Sequence, residues 1–242
     1  MNRLELAQRI SSLDWLFPRR CAICDKVLGR EENGCCSICY PKLSFIKQPL
    51  CYCCGKPLEQ EEQEYCVDCG KTKRSFLANR SVLLYNEMTE LSLARFKFQN
   101  RREYAAFYGK ELYDRCKSQI LDWQVDALVP VPIHPRKYKK RGYNQAELVA
   151  QELGRRLAIP VLTDILVRRV ETVAQKDLNP VQRLENLERA FQICENSVKL
   201  DKVILVDDIY TTGATLEACS RALLLHGVKQ IYGVTVAAGQ GY

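Results

Sequence analysis

Cysteine spacing is the feature that most constrains this chain of 242 residues. Ten of its 13 cysteines lie between Cys21 and Cys69, and eight of those ten form two sets of four with identical internal spacing. Each member of the second set follows its counterpart by 30 positions. In a reducing compartment such crowding indicates metal binding rather than disulfide formation. The two sets are Cys21, Cys24, Cys36, Cys39 and Cys51, Cys54, Cys66, Cys69.

Each set offers four thiolates, and a Cys-x2-Cys turn lets two sulfurs bind one ion at about 2.3 Å. We therefore predict two structural Zn²⁺ ions per chain, each in a closed tetrahedral site without an open position for catalysis. The spacing is also compatible with an interleaved arrangement, in which the first cysteine pair shares an ion with the third and the second with the fourth.

Two cysteines have no counterpart in the repeat, and we predict that neither is a ligand. They are Cys35 and Cys53. Gly55 and Gly70 directly follow two ligand cysteines of the second set, where we expect glycine to allow the tight backbone of a metal knuckle. The first set carries Asp25 and Tyr40 at those positions.

The composition is that of a globular protein, with 47% hydrophobic and 27% charged residues. No stretch approaches the ~18 apolar residues of a membrane span, and residues 1–17 lack the apolar core of a signal peptide. We expect a cytoplasmic protein that is not integral to the membrane. Residues 71–150 hold 16 lysines and arginines against 8 acidic residues, and this local basic surface predicts an anionic partner.

After the cysteines the pattern becomes an alternation of strands and helices. We predict helices over 87–98, 101–116, 143–157 and 213–226, strands over 126–131, 165–168, 203–206 and 230–237, and a mobile loop over 169–188. Continuous apolar strands alternating with helices are typical of a mostly parallel sheet covered by helices. The expected fold class is α/β, with a small cysteine-rich zinc domain over 1–75 followed by the sheet domain over 76–242.

The most informative segment of the second domain is an acidic strand end. Asp207 and Asp208 follow the apolar run 203–206, and open α/β sheets bind their ligands at the carboxyl ends of strands. The following turn into a helix offers hydroxyls, free backbone N–H groups and the positive end of a helix dipole to a phosphate. Its residues are Thr211, Thr212, Gly213, Ala214 and Thr215. The segment predicts a ribose 5-phosphate site, although an acidic strand of a receiver-type domain is the alternative.

Two basic runs supply the excess positive charge. Residues 136–141 follow the strand 126–131, so Arg136, Lys137 and Arg141 are candidates to neutralise a polyphosphate. The alternative is a solvated basic loop. Aromatic residues interleave with both runs, so the basic side chains can follow the phosphates of single-stranded DNA while the rings stack on its unpaired bases. The candidate DNA-binding residues are Arg95, Lys97, Arg101, Arg102, Lys137, Tyr138, Lys139, Lys140 and Arg141, with Phe96, Phe98 and Tyr143 as further aromatics.

The acidic strand and its turn resemble the phosphoribosyl pyrophosphate (PRPP) motif of type I phosphoribosyltransferases. That resemblance implies ribose binding by Asp207 and Asp208, phosphate binding by residues 211–215, and Mg²⁺ bound together with PRPP. Together with the zinc repeat, the whole chain resembles the ComF family of competence-associated proteins. The further motifs that carry this resemblance are RGYNQA over 141–146 and the series Gln175, Arg183, Asn186, Ala190 and Phe191.

The family resemblance implies a role in DNA uptake during natural transformation, at the inner face of the cytoplasmic membrane. A helicase-like competence protein and a DNA-entry channel are the implied partners. The alternative is an active phosphoribosyltransferase, in which a nitrogen nucleophile displaces diphosphate from Mg²⁺-bound PRPP and Asp207 and Asp208 are catalytic. No residue of the sequence identifies the acceptor.

Overall fold

The sheet domain is built on four parallel strands. The computed structural model describes residues 18–168, 191–193 and 200–239. Its central sheet has the order β1-β6-β5-β2, where β1 is Ala78–Leu84, β2 is Ala127–Pro130, β5 is Lys202–Tyr210 and β6 is Gln230–Ala238. All three pairings are parallel, which confirms the expected fold class. Residues 203–206 are fully buried, as their unbroken apolar pattern predicts.

The end of strand β5 lacks a neighbouring strand on one side, because prolines lie at and just after the end of β2. The pairing of β2 with β5 ends where Pro130 lies opposite Val206. Pro132 has no N–H group to extend the ladder. Strand β5 continues alone on that side, while β6 accompanies it as far as Tyr210 opposite Ala238. Asp207 and Asp208 therefore lie where the sheet opens on one side.

A small antiparallel pair stands apart from the main sheet. It joins β3, Leu166–Arg168, to β4, Phe191–Ile193, and Phe191 is buried. The strand predicted over 165–168 is thus present within one residue. The predicted loop 169–188 and the family positions Gln175, Arg183, Asn186 and Ala190 lie outside the described residues.

Six α-helices are described. They are α1 Val67–Lys71, α2 Glu87–Phe98, α3 Tyr104–Trp123, α4 Pro135–Arg141, α5 Gln145–Leu157 and α6 Ala214–Leu225. Asn86 caps the start of α2, because its side chain accepts a hydrogen bond from Thr89 N at 3.0 Å. Helix α3 begins three residues later and ends seven residues later than the predicted 101–116. In the described part of the chain, no helix is long and apolar enough to span a membrane.

The basic run 136–141 is helical, which corrects the prediction of a loop. Pro135 occupies the first turn of α4, where its missing N–H group costs nothing. Gly142 ends the helix with φ of 78°, a left-handed conformation that glycine adopts without steric cost. These two residues fix the helix, and the next helix starts at Gln145 rather than at the predicted Tyr143.

The 30-residue repeat of the sequence is also a repeat of the backbone. Cys21 N donates to Lys26 O at 2.8 Å, and Cys51 N donates to Lys56 O at 2.9 Å. The turn between donor and acceptor places Asp25 at φ of 64° and Gly55 at 71°. Gly70 instead lies inside α1, so the expectation that it provides a knuckle turn is wrong. We call the first unit, residues 18–43, ribbon 1 and the second, residues 49–71, ribbon 2.

Alanine substitutions at Gly55 and Gly70 should show that Gly55 lies in a turn with positive φ and Gly70 in a helix. Gly55→Ala is expected to lower the free energy of unfolding by at least about 1–2 kcal/mol, because φ is positive and the new Cβ meets the Asn79 carbonyl oxygen. Gly70→Ala should be neutral or stabilising, because the site is helical and nothing lies within 4 Å of the new Cβ. Urea denaturation of both variants measures the difference. Equal stability of the two would contradict this assignment of the turn.

Ribbon 1 is fixed to the helices that follow β1. Asp25 accepts hydrogen bonds from Tyr104 Oη at 2.6 Å and from Arg101 at 2.7 Å. Arg95 donates to Ile23 O at 2.6 Å. The buried ribbon cysteines share one hydrophobic cluster with α3 and the sheet. Ribbon 1 is therefore part of the core of the sheet domain.

Ribbon 2 covers the outer edge of strand β1. The Asn79 backbone N–H donates to Cys53 O at 2.6 Å, and the Asn79 side chain donates to Cys54 O at 3.0 Å. The linker between the ribbons pairs with the same edge, since Ile46 N donates to Val82 O at 2.9 Å. An uncovered edge strand can pair with other chains, so this cover also protects the sheet.

Candidate functional site

Each cysteine tetrad comes together as a potential zinc site. The four sulfurs of Cys21, Cys24, Cys36 and Cys39 lie within 4.8 Å of one another, and so do those of Cys51, Cys54, Cys66 and Cys69. The pairing is sequential, so the interleaved alternative does not apply. Four converging thiolates fit a tetrahedral Zn²⁺ ion, whose role in such a closed site is to stabilise the fold.

The two cysteines outside the repeat lie beside the tetrads. Cys35 is buried with its sulfur 3.9 Å from that of Cys21, and its pKa is raised by burial and by the neighbouring sulfurs. Cys53 lies at the edge of ribbon 2, where its carbonyl oxygen binds β1. Neither belongs to a converging set of four sulfurs.

The acidic pair of β5 is divided between two faces of the sheet. Consecutive strand residues point to opposite faces. Asp208 faces helix α2, where Lys97 Nζ lies 2.7 Å from its carboxylate. Asp207 faces the other side, where the charge of Arg168 acts on its carboxyl group. The two carboxylates remain linked at the backbone, because Asp208 N donates to Asp207 Oδ1 at 2.8 Å.

Asp207 is held in an environment that favours its neutral form. Burial and the charge of Asp208 raise the pKa of Asp207 to about 7, against the opposing effects of the Asp208 N–H group and of Lys97 and Arg168. Arg168 was not among the residues predicted from the sequence, because it lies 39 positions from Asp207 and belongs to no motif there. Near neutral pH this carboxyl group can therefore change its charge.

This raised pKa predicts a pH-dependent effect on stability. A carboxyl group that binds its proton more tightly when folded contributes stability that is present below its ordinary pKa of 3.8 and lost as pH rises through about 7. Asp207→Asn should therefore raise the melting temperature at pH 8 and have little effect at pH 4.

A second aspartate provides the control of opposite sign. Asp126 accepts hydrogen bonds from Asp201 N and Lys202 N, both at 2.8 Å, and these lower its pKa. Asp126→Asn should therefore lower the melting temperature at pH 8. Differential scanning calorimetry at both pH values, without added Mg²⁺, measures both effects. An Asp207→Asn variant less stable than the parent at pH 8 would contradict the assignment.

The predicted phosphate turn lies between β5 and α6. Thr211 and Thr212 are exposed, and Gly213 caps the helix with φ of 78°. A side chain at Gly213 would collide with the Tyr210 hydroxyl group, so glycine is required by both conformation and space. The Tyr210 hydroxyl is buried and, among the described residues, has no hydrogen-bond partner. The exposed turn at the helix N-terminus remains accessible to an anion.

A basic cavity lies next to Asp208. Its volume is about 560 Å³, and it lies between the end of α2 and helix α4. The Arg141 guanidinium stacks over the ring of Phe98 at 5.1 Å, and Phe98 is 71% exposed. The lining residues are Lys97, Phe98, Asn100, Lys137, Lys140 and Arg141. No acidic residue is among them, so the cavity is suited to phosphate groups and to a planar base.

The structure separates the basic residues predicted to bind DNA. Lys97, Lys137, Lys140 and Arg141 meet in the cavity, whereas Tyr138 and Lys139 line a neighbouring cleft of about 490 Å³. Arg136 lies on the exposed start of α4 and lines neither space.

The remaining predicted DNA contacts have structural roles. Arg95 and Arg101 bind ribbon 1 and are not available to a phosphate chain in this arrangement. Arg102 packs over the ring of Tyr143 at 4.8 Å. Tyr143 itself is buried and donates to Phe96 O, so it cannot stack on a base as predicted. Of the α2 aromatics, Phe96 is a core residue and Phe98 is exposed.

Two domain families match the chain. Residues 12–70 match the double zinc ribbon domain, and residues 139–241 match the phosphoribosyl transferase domain. The first match covers both cysteine tetrads. The second covers the last three residues of α4, the acidic strand end and the phosphate turn, whereas Lys97 and Lys137 of the basic cavity precede it.

Three known proteins are similar to this chain over about three fifths of its length. Competence protein F of Haemophilus influenzae is 36% identical over 152 residues, which are 61% of this chain and 66% of that protein. Competence protein ComFC of Bacillus subtilis is 34% identical over 149 residues, 62% of this chain and 59% of that protein. DNA utilization protein YhgH of Salmonella typhimurium is 30% identical over 155 residues, 62% of this chain and 67% of that protein.

The match spans less than two thirds of the length of the first two relatives. The order of domains is nonetheless specific, because a double zinc ribbon precedes a phosphoribosyl transferase domain within one chain. This combination and these relatives show that the chain belongs to the ComF family of competence-associated proteins.

Proposed function

We propose that this chain acts in DNA uptake during natural transformation and binds both PRPP and single-stranded DNA. The observation that carries the proposal is the position of the basic cavity, which Lys97 joins directly to Asp208 at the carboxyl end of β5. The names of the relatives, two competence proteins and a DNA utilization protein, support the DNA part.

For PRPP, each part of the site has a distinct chemical task. The carboxylates of Asp207 and Asp208 accept hydrogen bonds from ribose hydroxyls, and the turn over residues 211–215 donates to the 5-phosphate. Cations on α4, Lys137 and Arg141, neutralise the diphosphate. Mg²⁺ bound with PRPP would supply further neutralisation of that charge. Calorimetric titration with PRPP and Mg²⁺ tests this part.

For DNA, the same cations would bind backbone phosphates while Phe98 and Tyr138 stack on bases. Both rings are exposed, at 71% and 50%. Stacking tolerates any base, so the proposed binding has little sequence preference. A helicase-like competence protein and the DNA-entry channel are the proposed partners, and the inner face of the cytoplasmic membrane is the proposed location.

DNA binding of this kind should depend steeply on salt. Replacing Lys137, Lys139, Lys140 and Arg141 with glutamine is expected to lower the slope of log K against log salt by roughly 0.7 for each lost contact. Tyr138→Ala should weaken binding by ~1–3 kcal/mol with little change in slope, because stacking releases few counterions. Fluorescence anisotropy with a labelled oligonucleotide over a salt series measures both quantities.

A variant of equal charge controls for the net charge of the protein. Four exposed cations on ribbon 1 and the linker serve this purpose when replaced with glutamine: Lys26, Arg30, Lys42 and Lys47. This control variant should keep the parental slope. If the α4 variant also keeps it, helix α4 does not bind DNA. Loss of PRPP binding in that same variant would then assign the helix to PRPP alone.

A second candidate function is phosphoribosyl transfer. The observation that favours this function is that carboxylates and cations lie together at the carboxyl end of β5. Transfer requires groups that bind the ribose and groups that stabilise the charge of the leaving diphosphate. A nitrogen nucleophile would form a bond to the ribose C1 as the bond from C1 to the diphosphate oxygen breaks, and the diphosphate leaves toward α4. Release of diphosphate from PRPP in the presence of candidate bases and amines tests this function.

A further inference from the structure

Lys97 reaches the acidic strand end from outside the matched phosphoribosyl transferase segment. That segment begins at residue 139, whereas Lys97 lies near the end of α2. Its ammonium lies 2.7 Å from Asp208 Oδ2, and only 21% and 15% of the two side chains are exposed. The contact is therefore a shielded, charge-assisted hydrogen bond rather than a solvated surface pair.

The end of α2 is held in place on two sides. Arg95 donates to Ile23 O of ribbon 1 at 2.6 Å, and Tyr143, which precedes α5, donates to Phe96 O. These contacts involve the two residues directly before Lys97 and hold the part of α2 from which its side chain extends. The Lys97 side chain contacts Asp208 and also lines the basic cavity, so rotation about its own bonds would carry the ammonium from the carboxylate into that cavity.

From this geometry we infer that Lys97 is a positioning residue of the PRPP site that serves as the internal counterion of Asp208. Its ammonium neutralises the carboxylate that a divalent cation or a ribose hydroxyl must approach. With PRPP bound at Asp208, the ammonium of Lys97 would contact the diphosphate from its place in the cavity wall. The inference rests on the proposed PRPP function and adds to it a residue from α2.

This exchange predicts effects of opposite sign on two ligands. Removing the ammonium exposes the charge of Asp208, so a divalent cation alone should bind more tightly. The same change removes one cation from the cavity, so PRPP should bind more weakly. A cation at this distance changes the local potential enough for about a tenfold effect or more on metal affinity. A purely structural lysine would weaken both ligands or neither.

The experiment uses the full chain and Mn²⁺ as the probe, because free Mn²⁺ has an electron paramagnetic resonance signal that disappears on binding. Lys97→Met should bind Mn²⁺ at least about tenfold more tightly than the parent and bind PRPP with Mg²⁺ more weakly by calorimetry. Lys140→Met, which removes a cation from the same cavity, should weaken PRPP binding without tightening Mn²⁺ binding. In the double variant Lys97→Met, Asp208→Asn, the gain in Mn²⁺ affinity should disappear.

The outcomes distinguish this inference from the proposed function. If Lys97→Met has the parental Mn²⁺ affinity, the counterion role of Lys97 is wrong, whether or not the parent binds PRPP. If the parent fails to bind PRPP while Lys97→Met still gains Mn²⁺ affinity, the counterion role stands and the PRPP function fails. Lys97→Gln repeats the test with a polar side chain, so that a folding defect of the methionine variant does not decide the result.

Discussion

Replacing Cys54 with serine is expected to release one of two zinc ions and to unfold ribbon 2. A structural four-thiolate site contributes on the order of 10 kcal/mol of folding free energy, and one lost thiolate removes most of it. The loss should extend into the sheet, because Cys54 O accepts a hydrogen bond from Asn79 on the edge strand β1. We therefore expect a large fall in melting temperature as well as a changed metal content.

The adjacent cysteine provides the matched control. Cys53→Ser removes a sulfur from the same turn but not from the tetrad, so both zinc ions should remain. Cys24→Ser and Cys35→Ser form the corresponding pair in ribbon 1. Metal analysis of the purified proteins by mass spectrometry gives the zinc content directly. A parent without zinc, or loss of one equivalent in both Cys35→Ser and Cys53→Ser, would overturn the assignment.

The cysteine spacing predicts both tetrads because a metal knuckle depends on local sequence. The two ligands of a Cys-x2-Cys turn are neighbours in the chain, so a period of 30 residues is visible without any tertiary structure. What the spacing cannot reveal is where the ribbons pack. The contacts of Asp25 with Arg101 and Tyr104 join residues more than 70 positions apart, and no local pattern encodes them.

Helix α4 can be predicted from the sequence. Pro135 and Gly142 bracket the basic run, and proline in the first turn with glycine after the last is a recognised signature of a short helix. The high density of lysine and arginine in this run is equally typical of a solvated loop. The helix matters for the site, because it sends Lys137, Lys140 and Arg141 into one cavity and Tyr138 and Lys139 into another space.

The basic run near the end of α2 shows a different limit of prediction from sequence. Read as a sequence it is one cationic patch, but residues two apart on a helix differ by about 200° in direction. Arg95 therefore turns to ribbon 1 while Lys97 turns to Asp208. Helical periodicity predicts that the two side chains diverge. It cannot predict that Lys97 meets a carboxylate 111 positions away.

Replacing both Asp207 and Asp208 with asparagine is expected to abolish PRPP binding and to leave the fold intact. The carboxylates are the only strong acceptors for ribose hydroxyls on the described end of β5, and an amide offers a weaker, neutral acceptor. Replacing Asp207 should not lower stability, because burial and mutual repulsion already disfavour its charge. Replacing Asp208 turns its ion pair with Lys97 into a hydrogen bond to a neutral amide, which lowers the stability without unfolding the domain. Asparagine can also retain the hydrogen bond that Asp208 N donates to residue 207.

The control is a second pair of aspartates, which lie at the opposite ends of the strands of the same sheet. Asp126 and Asp201 lie before β2 and β5, on the side of the strands' amino ends. Replacing both with asparagine changes the net charge equally, so long-range electrostatics should affect PRPP equally in the two variants. Calorimetric titration with Mg²⁺ and PRPP, together with zinc content and circular dichroism, compares them. Undiminished PRPP affinity in the Asp207 and Asp208 variant would show that the ribose does not bind at the end of β5. Loss of PRPP binding in both variants would show that the effect comes from the overall charge of the protein.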